Sequence, residues 1–423
     1  MLKVLRQRSF ALLWIGGLIS VTGDWVLYSA LPYFVYQETG SVIASAGMIV
    51  AELAPEVLLG SVAGVFVDRW DRKRVLVATN VLQALAVAFL FLVSYAGVIW
   101  VVFVVAVAQS VLASFSGPAE SALLPMLVDE AQLVAANSLN ALNNRLGRLA
   151  GLPLGIAVLS AVGLGGVVLV DCASFVAASL LIAVVVVPAR RHPDGAADES
   201  AAKEAMSAMA TLGHEWLAGI RIVRHDKTIA VIFVVLGIMT YGGTMLDPPQ
   251  AAWVRDVLHQ GPGLFAWLMT VHAIGGVVGT VLVGTLGSLL TPRALIGWPS
   301  LIAGVLLMVK FGVASVPLAL VLSAISGATS VASLVGVNTM IQRGVPNEYQ
   351  GRVFGALGAS GGLLSLLGAA TGGGLAELLG ITAALEVASI LTAFAGVVVL
   401  CTFADSQRHP RLSASPVSRT PGL

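Results

Sequence analysis

Residues 60–74 read Gly-Ser-Val-Ala-Gly-Val-Phe-Val-Asp-Arg-Trp-Asp-Arg-Lys-Arg. This stretch joins an apolar run over residues 43–67 to another over 74–95. Between the two, Asp68 and Asp71 stand beside Arg69, Arg72, Lys73 and Arg74. A run of about 20 apolar residues crosses the roughly 30 Å core of a bilayer. Basic residues gather where the chain emerges on the inner side. The stretch therefore reads as an inner loop between two membrane-spanning helices. Gly60 and Gly64 lie one helical turn apart, a spacing that lets a neighbouring backbone come close.

Working outward from this loop, the same pattern covers the chain. Helices are expected near 10–36, 43–67, 74–95, 98–117, 138–162 and 166–188. After a polar stretch, 189–227, come six more, near 228–247, 263–287, 294–314, 317–337, 353–378 and 381–404. A polar tail occupies 405–423. The composition agrees: 57% of the 423 residues are hydrophobic and 11% are charged, against about 25% charged in soluble proteins. The expected fold class is an all-α membrane protein of twelve transmembrane helices in two pseudo-symmetric six-helix bundles.

With the N-terminus inside, every Lys and Arg falls in an inner segment except Arg145, Arg148, Arg255 and Lys310, so both termini are expected to be cytoplasmic. The basic start (Lys3, Arg6, Arg8) leads into an apolar run with no clear cleavage site, and a first spanning helix is expected there rather than a signal peptide. The net charge of +1 does not point to nucleic acid. Cys172 and Cys401 lie in apolar runs and suggest no disulfide framework, and no metal-ligand spacing of Cys and His is present. No cofactor and no enzyme activity are expected.

The chain also looks doubled. A shift of about 220 residues lays helix 7 on helix 1 and sets Gly64 and Asp68 against Gly284 and Ser288, as repeat-built transporters do. The halves are then 1–188 and 228–404, joined by a cytoplasmic linker, 189–227. Its stretch 215–224, Glu-Trp-Leu-Ala-Gly-Ile-Arg-Ile-Val-Arg, reads as an interfacial amphipathic helix. Residues 190–205 read as a flexible connector.

The order Gly60, Gly64, Asp68, Arg69, Arg72, Lys73 resembles the signature loop between helices 2 and 3 of the major facilitator superfamily. The resemblance implies that Asp68, Arg69 and Arg72 latch against the other half as access alternates. Three further stretches are similar to the branch containing macrolide efflux proteins and the enterobactin exporter. They are residues 5–14 with Ser20 and Gly23-Asp24-Trp25; residues 118–137; and Gln342-Arg343-Gly344-Val345-Pro346 followed by Gly351-Arg352-Val353. Helix 5 carries Arg145, Gly147, Arg148, Gly151, Pro153 and Gly155, similar to the glycine-proline motif of drug antiporters. It departs from that motif in having Gly151-Leu152-Pro153 instead of an adjacent Gly-Pro.

Charged side chains at mid-membrane cost about 2.5–3.5 kcal/mol each on insertion scales, so they mark pathways or pairs. Candidates here are Asp24, Glu52, Glu56, Arg145 and Arg148, with Asp171 also in a span. Counting about 1.5 Å per residue, Glu52 matches Arg148 in depth and Glu56 matches Arg145, so structural ion pairs are one reading. The other is proton coupling. Glu52 and Glu56 share a helix face and cannot both ionise cheaply in a low dielectric, which suits a carboxyl that loads a proton on one side and releases it on the other. The second half is nearly free of charge at depth. His272 there reads as a hydrogen-bonded packing residue, and Asp247, Lys310, Glu377 and Glu386 are placed nearer the outer ends. Trp25, Tyr28, Tyr33, Phe34, Tyr241 and Trp267 are candidate lining aromatics.

These observations lead to a monomeric secondary transporter in the inner (plasma) membrane. It is expected to use the proton gradient to export a hydrophobic or amphipathic small molecule, such as a drug, macrolide or siderophore. A lysophospholipid or other lipid transporter on the same scaffold is the alternative.

Overall fold

A computed structural model describes residues 2–187, 227–286, 290–344 and 347–402. All of the regular structure among these residues is helical. After one turn at Leu2–Leu5, α1 spans Arg8–Thr39, α2 Val42–Arg69, α3 Arg72–Ala88 (resumed at Phe91–Ala96) and α4 Trp100–Leu123. A 51-residue helical stretch, Leu133–Ala183, follows. At about 1.5 Å per residue it would run roughly 77 Å, far beyond one bilayer. It is broken at Gly163 (φ 72°, ψ −171°), giving α5 over 133–162 and α6 over 164–183. The second half comprises α7 (Lys227–Ala252, ending in a π-helical turn Trp253–Val257), α8 (Pro262–Leu286), α9 (Pro292–Gly312), α10 (Val316–Gly344), α11 (Asn347–Leu379) and α12 (Ile381–Thr402).

The turns follow from local chemistry. Gly40 ends α1 at φ 66°, and its N–H bonds to the Tyr36 carbonyl. Ser41 caps α2 by accepting from the Ala44 N–H. In the basic loop, Asp71 caps α3 by accepting from the Arg74 N–H at 2.8 Å; part of that loop's acidity thus serves helix initiation. The outward faces stay apolar: Leu58, Trp100, Val186 and Leu378 are each more than 60% exposed on the bare protein. A belt this wide makes sense against lipid.

Packing repeats with a shift of six helices. Helix α1 packs on α5 and α6 as α7 packs on α11 and α12; α2 meets α4 as α8 meets α10; α3 meets α4 and α6 as α9 meets α10 and α12. The expected small-residue contact on helix 5 is present: a methyl group at Gly155 would lie 2.2 Å from the Val26 carbonyl oxygen, so only glycine admits α1 there. The halves touch where α2 meets α11 and where the α5–α6 unit meets α8.

The core shows how the halves are tilted. At the end remote from the basic loop, one apolar cluster spans both halves, joining Tyr33, Tyr36 and Met48 to Trp253, Val254 and Phe265. At the basic end the clusters are separate. Leu13, Val67, Leu76, Leu123 and Ile182 belong to the first half alone. Ile232, Val235, Ile296, Val337 and Val399 belong to the second alone. The molecule is closed at one end and split at the other.

The expected close contact at Gly60 and Gly64 is absent in this state. Among the described residues a methyl at either would meet no atom within 4 Å, and the same holds for Gly355, Gly358 and Gly361 on α11. Farther along the same helix pair, a methyl at Gly362 would lie 2.8 Å from Val57, and one at Gly373 would lie 2.5 Å from Ala46. The pair therefore closes at the remote end and splays toward the basic end. The expected linker helix (215–224), the connector at 190–205, the tail 405–423, Ser288 and Pro346 lie outside the described residues.

Candidate functional site

A cavity of about 380 Å³ opens within the first half, lined by α1 to α5 and by Ile182 of α6. Helix α1 contributes Asp24, Trp25 and Tyr28; α2 contributes Glu52 and Glu56; α3 contributes Asn80 and Gln83; α4 contributes Gln109, Ser110 and Glu120. Glu52 and Glu56 share a face, as their spacing requires. Pro55 stands between them inside the helix, and the Glu56 N–H donates to Ser110 Oγ at 3.2 Å. A proline removes its own donor and crowds the preceding turn, so α4 takes over part of the backbone bonding beside the two carboxyls. Asp24 and Glu56 are close enough to act on each other electrostatically.

Of the site residues expected from the sequence, the structure thus gathers Asp24, Glu52 and Glu56 in one cavity. It does not pair them with the arginines. Among the described residues neither Glu52–Arg148 nor Glu56–Arg145 forms an ion pair. Arg145 is exposed. The Arg148 guanidinium lies 4.9 Å from the Trp25 ring centroid, within electrostatic range of Tyr28 in the first half and of Asp247 and His272 in the second. Equal depth was a poor guide because it ignores the direction in which each helix face points.

Two acidic residues need new places, and a third, Asp171, lies in a span as expected. Glu120 was not expected in a span, yet α4 runs past Pro118 to Leu123 and brings it into the cavity wall. Asp247 was placed near an outer end. Helix α7 continues through Pro248 and Pro249 to Ala252 and then the π turn, which leaves Asp247 about ten residues, or roughly 15 Å, from the end. Asp171 is fully buried on α6, where it accepts from Ser174 Oγ at 3.3 Å, and its Oδ2 has no partner. It lies behind Asp24 rather than in the cavity lining. His272 is, as expected, hydrogen-bonded: Nδ1 lies 3.3 Å from Ser326 Oγ on α10.

Around the basic loop, Asp68 is exposed and its side chain makes no hydrogen bond or ion pair among the described residues, while Arg72 reaches Met126 Sδ at 3.2 Å within its own half. Lys73 is half-buried. Gly351 and Arg352 fall on the first turns of α11.

The remote end is held by polar as well as apolar contacts across the halves. The Tyr36 hydroxyl donates to the Asp256 carboxylate. Arg255 donates to the Tyr36 and Gln37 carbonyl oxygens, each at 3.3 Å, lies over the Tyr36 ring at 5.5 Å and pairs with Asp256 at 3.7 Å. Tyr33 stacks on Phe265 at 5.4 Å. Of the candidate lining aromatics, Trp25 and Tyr28 line the cavity, Tyr33 belongs to this seal, and Trp267 is 62% exposed.

A family model described as transmembrane secretion effector matches residues 1–415. The chain belongs to this family of the major facilitator superfamily. It is similar to the multidrug efflux pump Tap of Mycolicibacterium fortuitum, at 26% identity over 97% of this chain and 99% of that protein. It is also similar to macrolide efflux protein A of Streptococcus pyogenes, at 23% identity over 84% and 85%. Among solved structures, a bacterial homologue of the iron transporter ferroportin in an inward-facing state superposes with a TM-score of 0.70, at 17% identity over 93% of this chain and 98% of that one. A bacterial homologue of the human lysosomal transporter Spinster gives 0.65 at 15% identity, over 93% and 94%. The family and these structural neighbours are transporters, not enzymes, and the likeness to the solved structures establishes a shared fold.

Proposed function

We propose that this transporter exports a hydrophobic or amphipathic small molecule by alternating access, driven by protons carried on carboxyls of the first half. The observation that supports the reading is the cavity itself, whose lining includes Asp24, Glu52 and Glu56, in a first half split from its partner at one end. The basic residues put that split end on the cytoplasmic side, so substrate would enter from the cytoplasm. Rocking the halves would close the basic end, bring Gly60 and Gly64 toward α11 and engage Asp68, while the Tyr36–Asp256 seal parts. The efflux functions named for the two relatives support export.

The lysophospholipid alternative fits less well. Its phosphate would need cations, and no Lys, Arg or His lines this cavity among the described residues. The test is substrate efflux in proteoliposomes under an imposed pH gradient, with a compound panel and with Asp24→Asn, Glu52→Gln and Glu56→Gln. Loss of gradient-driven transport in at least one variant is expected. Undiminished transport in all three removes these carboxyls from the mechanism.

A further inference from the structure

A second cavity, of about 430 Å³, lies at the basic end of the first half, between the start of α3, the turn that follows α4 and the end of α6. Its two walls differ in kind. One carries Arg72 and Lys73, both half-buried. Arg72 Nη1 lies 3.2 Å from the thioether of Met126, a weak acceptor. Among the described residues neither cation has a carboxylate within ion-pair distance. Asp71 also lines the cavity, and its carboxylate is taken up by the Arg74 N–H at 2.8 Å. The other wall is apolar. Beyond Ala183 the chain leaves the helix and is pinned at Val186, where Ser9 Oγ donates to the carbonyl at 3.1 Å and accepts from the N–H at 3.3 Å. Val185 turns inward, 1% exposed, while Val184 and Val186 turn outward, 56% and 74% exposed on the bare protein. Two cations without a counter-charge thus stand beside an outward apolar strip, where the chain meets the inner face of the bilayer. Partly buried cations lose hydration and gain nothing in return unless a negative group joins them.

We infer that this cavity holds the headgroup of an anionic phospholipid of the inner leaflet, Arg72 and Lys73 donating to its phosphate and an acyl chain lying over Val184 and Val186. Basic pockets between membrane helices on the cytoplasmic side suit such headgroups, and each Lys or Arg near the surface adds to the attraction. The apolar strip is what distinguishes a lipid from a free phosphate, which would gain nothing from it. A lipid seated here ties the start of α3 to the ends of α4 and α6. Every lining residue belongs to the first half, and none lines the cavity that holds Asp24 and Glu52 apart from Leu123's neighbours on α4, so the lipid is a bound component and not the cargo. The inference therefore stands or falls independently of the export reading.

The experiment is native mass spectrometry of the full chain released from detergent micelles that contain equal amounts of phosphatidylglycerol and phosphatidylcholine with the same acyl chains. One phosphatidylglycerol should be retained at least about tenfold over phosphatidylcholine, as two surface cations warrant. Arg72→Gln and Lys73→Gln should each lower that preference about fivefold. Arg74→Gln removes the same charge from the same loop, but Arg74 does not line the cavity, so the preference should stay within about twofold of wild type. Ala183→Trp fills the cavity and should abolish retention. Thermal midpoints in phosphatidylcholine nanodiscs report that each variant is folded, and if Ala183→Trp is not, the comparison of Lys73→Gln with Arg74→Gln decides. Equal retention of the two lipids overturns the inference, and so do equal losses in Lys73→Gln and Arg74→Gln, which would mean attraction by the surface charge as a whole. Retention by folded Ala183→Trp overturns the location. Displacement of phosphatidylglycerol by millimolar inorganic phosphate overturns the lipid in favour of a free anion.

Discussion

Removing one hydroxyl from the remote seal should shift the balance between open and closed states by a calculable amount. In Tyr36→Phe the ring still packs under Arg255, and Arg255 keeps both backbone carbonyl acceptors. What goes is one hydrogen bond to a carboxylate, worth about 1.5–3 kcal/mol when shielded. The Asp256 side chain is 45% exposed, so water compensates part of the loss and about 1 kcal/mol remains. That corresponds to a roughly fivefold rise in the population with the remote end open. Asp256→Ala should do more, because it strands the Tyr36 hydroxyl in a residue only 2% exposed, adding about 1–3 kcal/mol for an unsatisfied buried group. The assay is single-molecule energy transfer between dyes at Glu38→Cys and Gln260→Cys, both exposed at that end, with Cys172 and Cys401 changed to Ser. The wider-distance population should grow in the order wild type, Tyr36→Phe, Asp256→Ala. Unchanged distributions in both variants would refute the claim that these contacts hold the gate.

The splayed helix pair makes a complementary forecast. Gly64→Leu meets open space in the observed state and should leave thermal stability within about 0.5 kcal/mol, yet obstruct closure of the basic end. Transport should fall at least about tenfold while the unfolding midpoint holds, and normal transport would show that α2 and α11 do not meet there. Gly163→Ala should cost about 1–3 kcal/mol of stability, because the φ and ψ at Gly163 lie in a region open essentially to glycine alone. Thermal unfolding in detergent measures the loss, and an unchanged midpoint would mean that the α5–α6 corner relaxes freely.

What could be read from the sequence and what could not divide along one physical line. Spans were legible because lipid demands unbroken apolar length, and the α5–α6 corner fell where Gly163, Gly165 and Gly166 cluster. The two misplaced acids, Glu120 and Asp247, sit beside Pro118 and the Pro248–Pro249 pair, where the expected spans stop at 117 and 247. In water that reading is sound, since an interior proline leaves a carbonyl without its donor and strains the preceding turn. In a bundle within lipid the chain has no better option than to stay helical and let neighbouring helices and side chains satisfy the freed groups. Both helices therefore run on, and each carries a carboxyl deeper than its proline suggested. The failed Glu–Arg pairing has a different cause: rise per residue fixes depth, while facing depends on how each helix is rotated, and that is set by contacts such as Gly155 against Val26. An acid next to a proline at the apparent end of a membrane helix should thus be counted as inside the protein until packing says otherwise. Here that rule would have counted Glu120 and Asp247 among the acids inside the bundle from the outset.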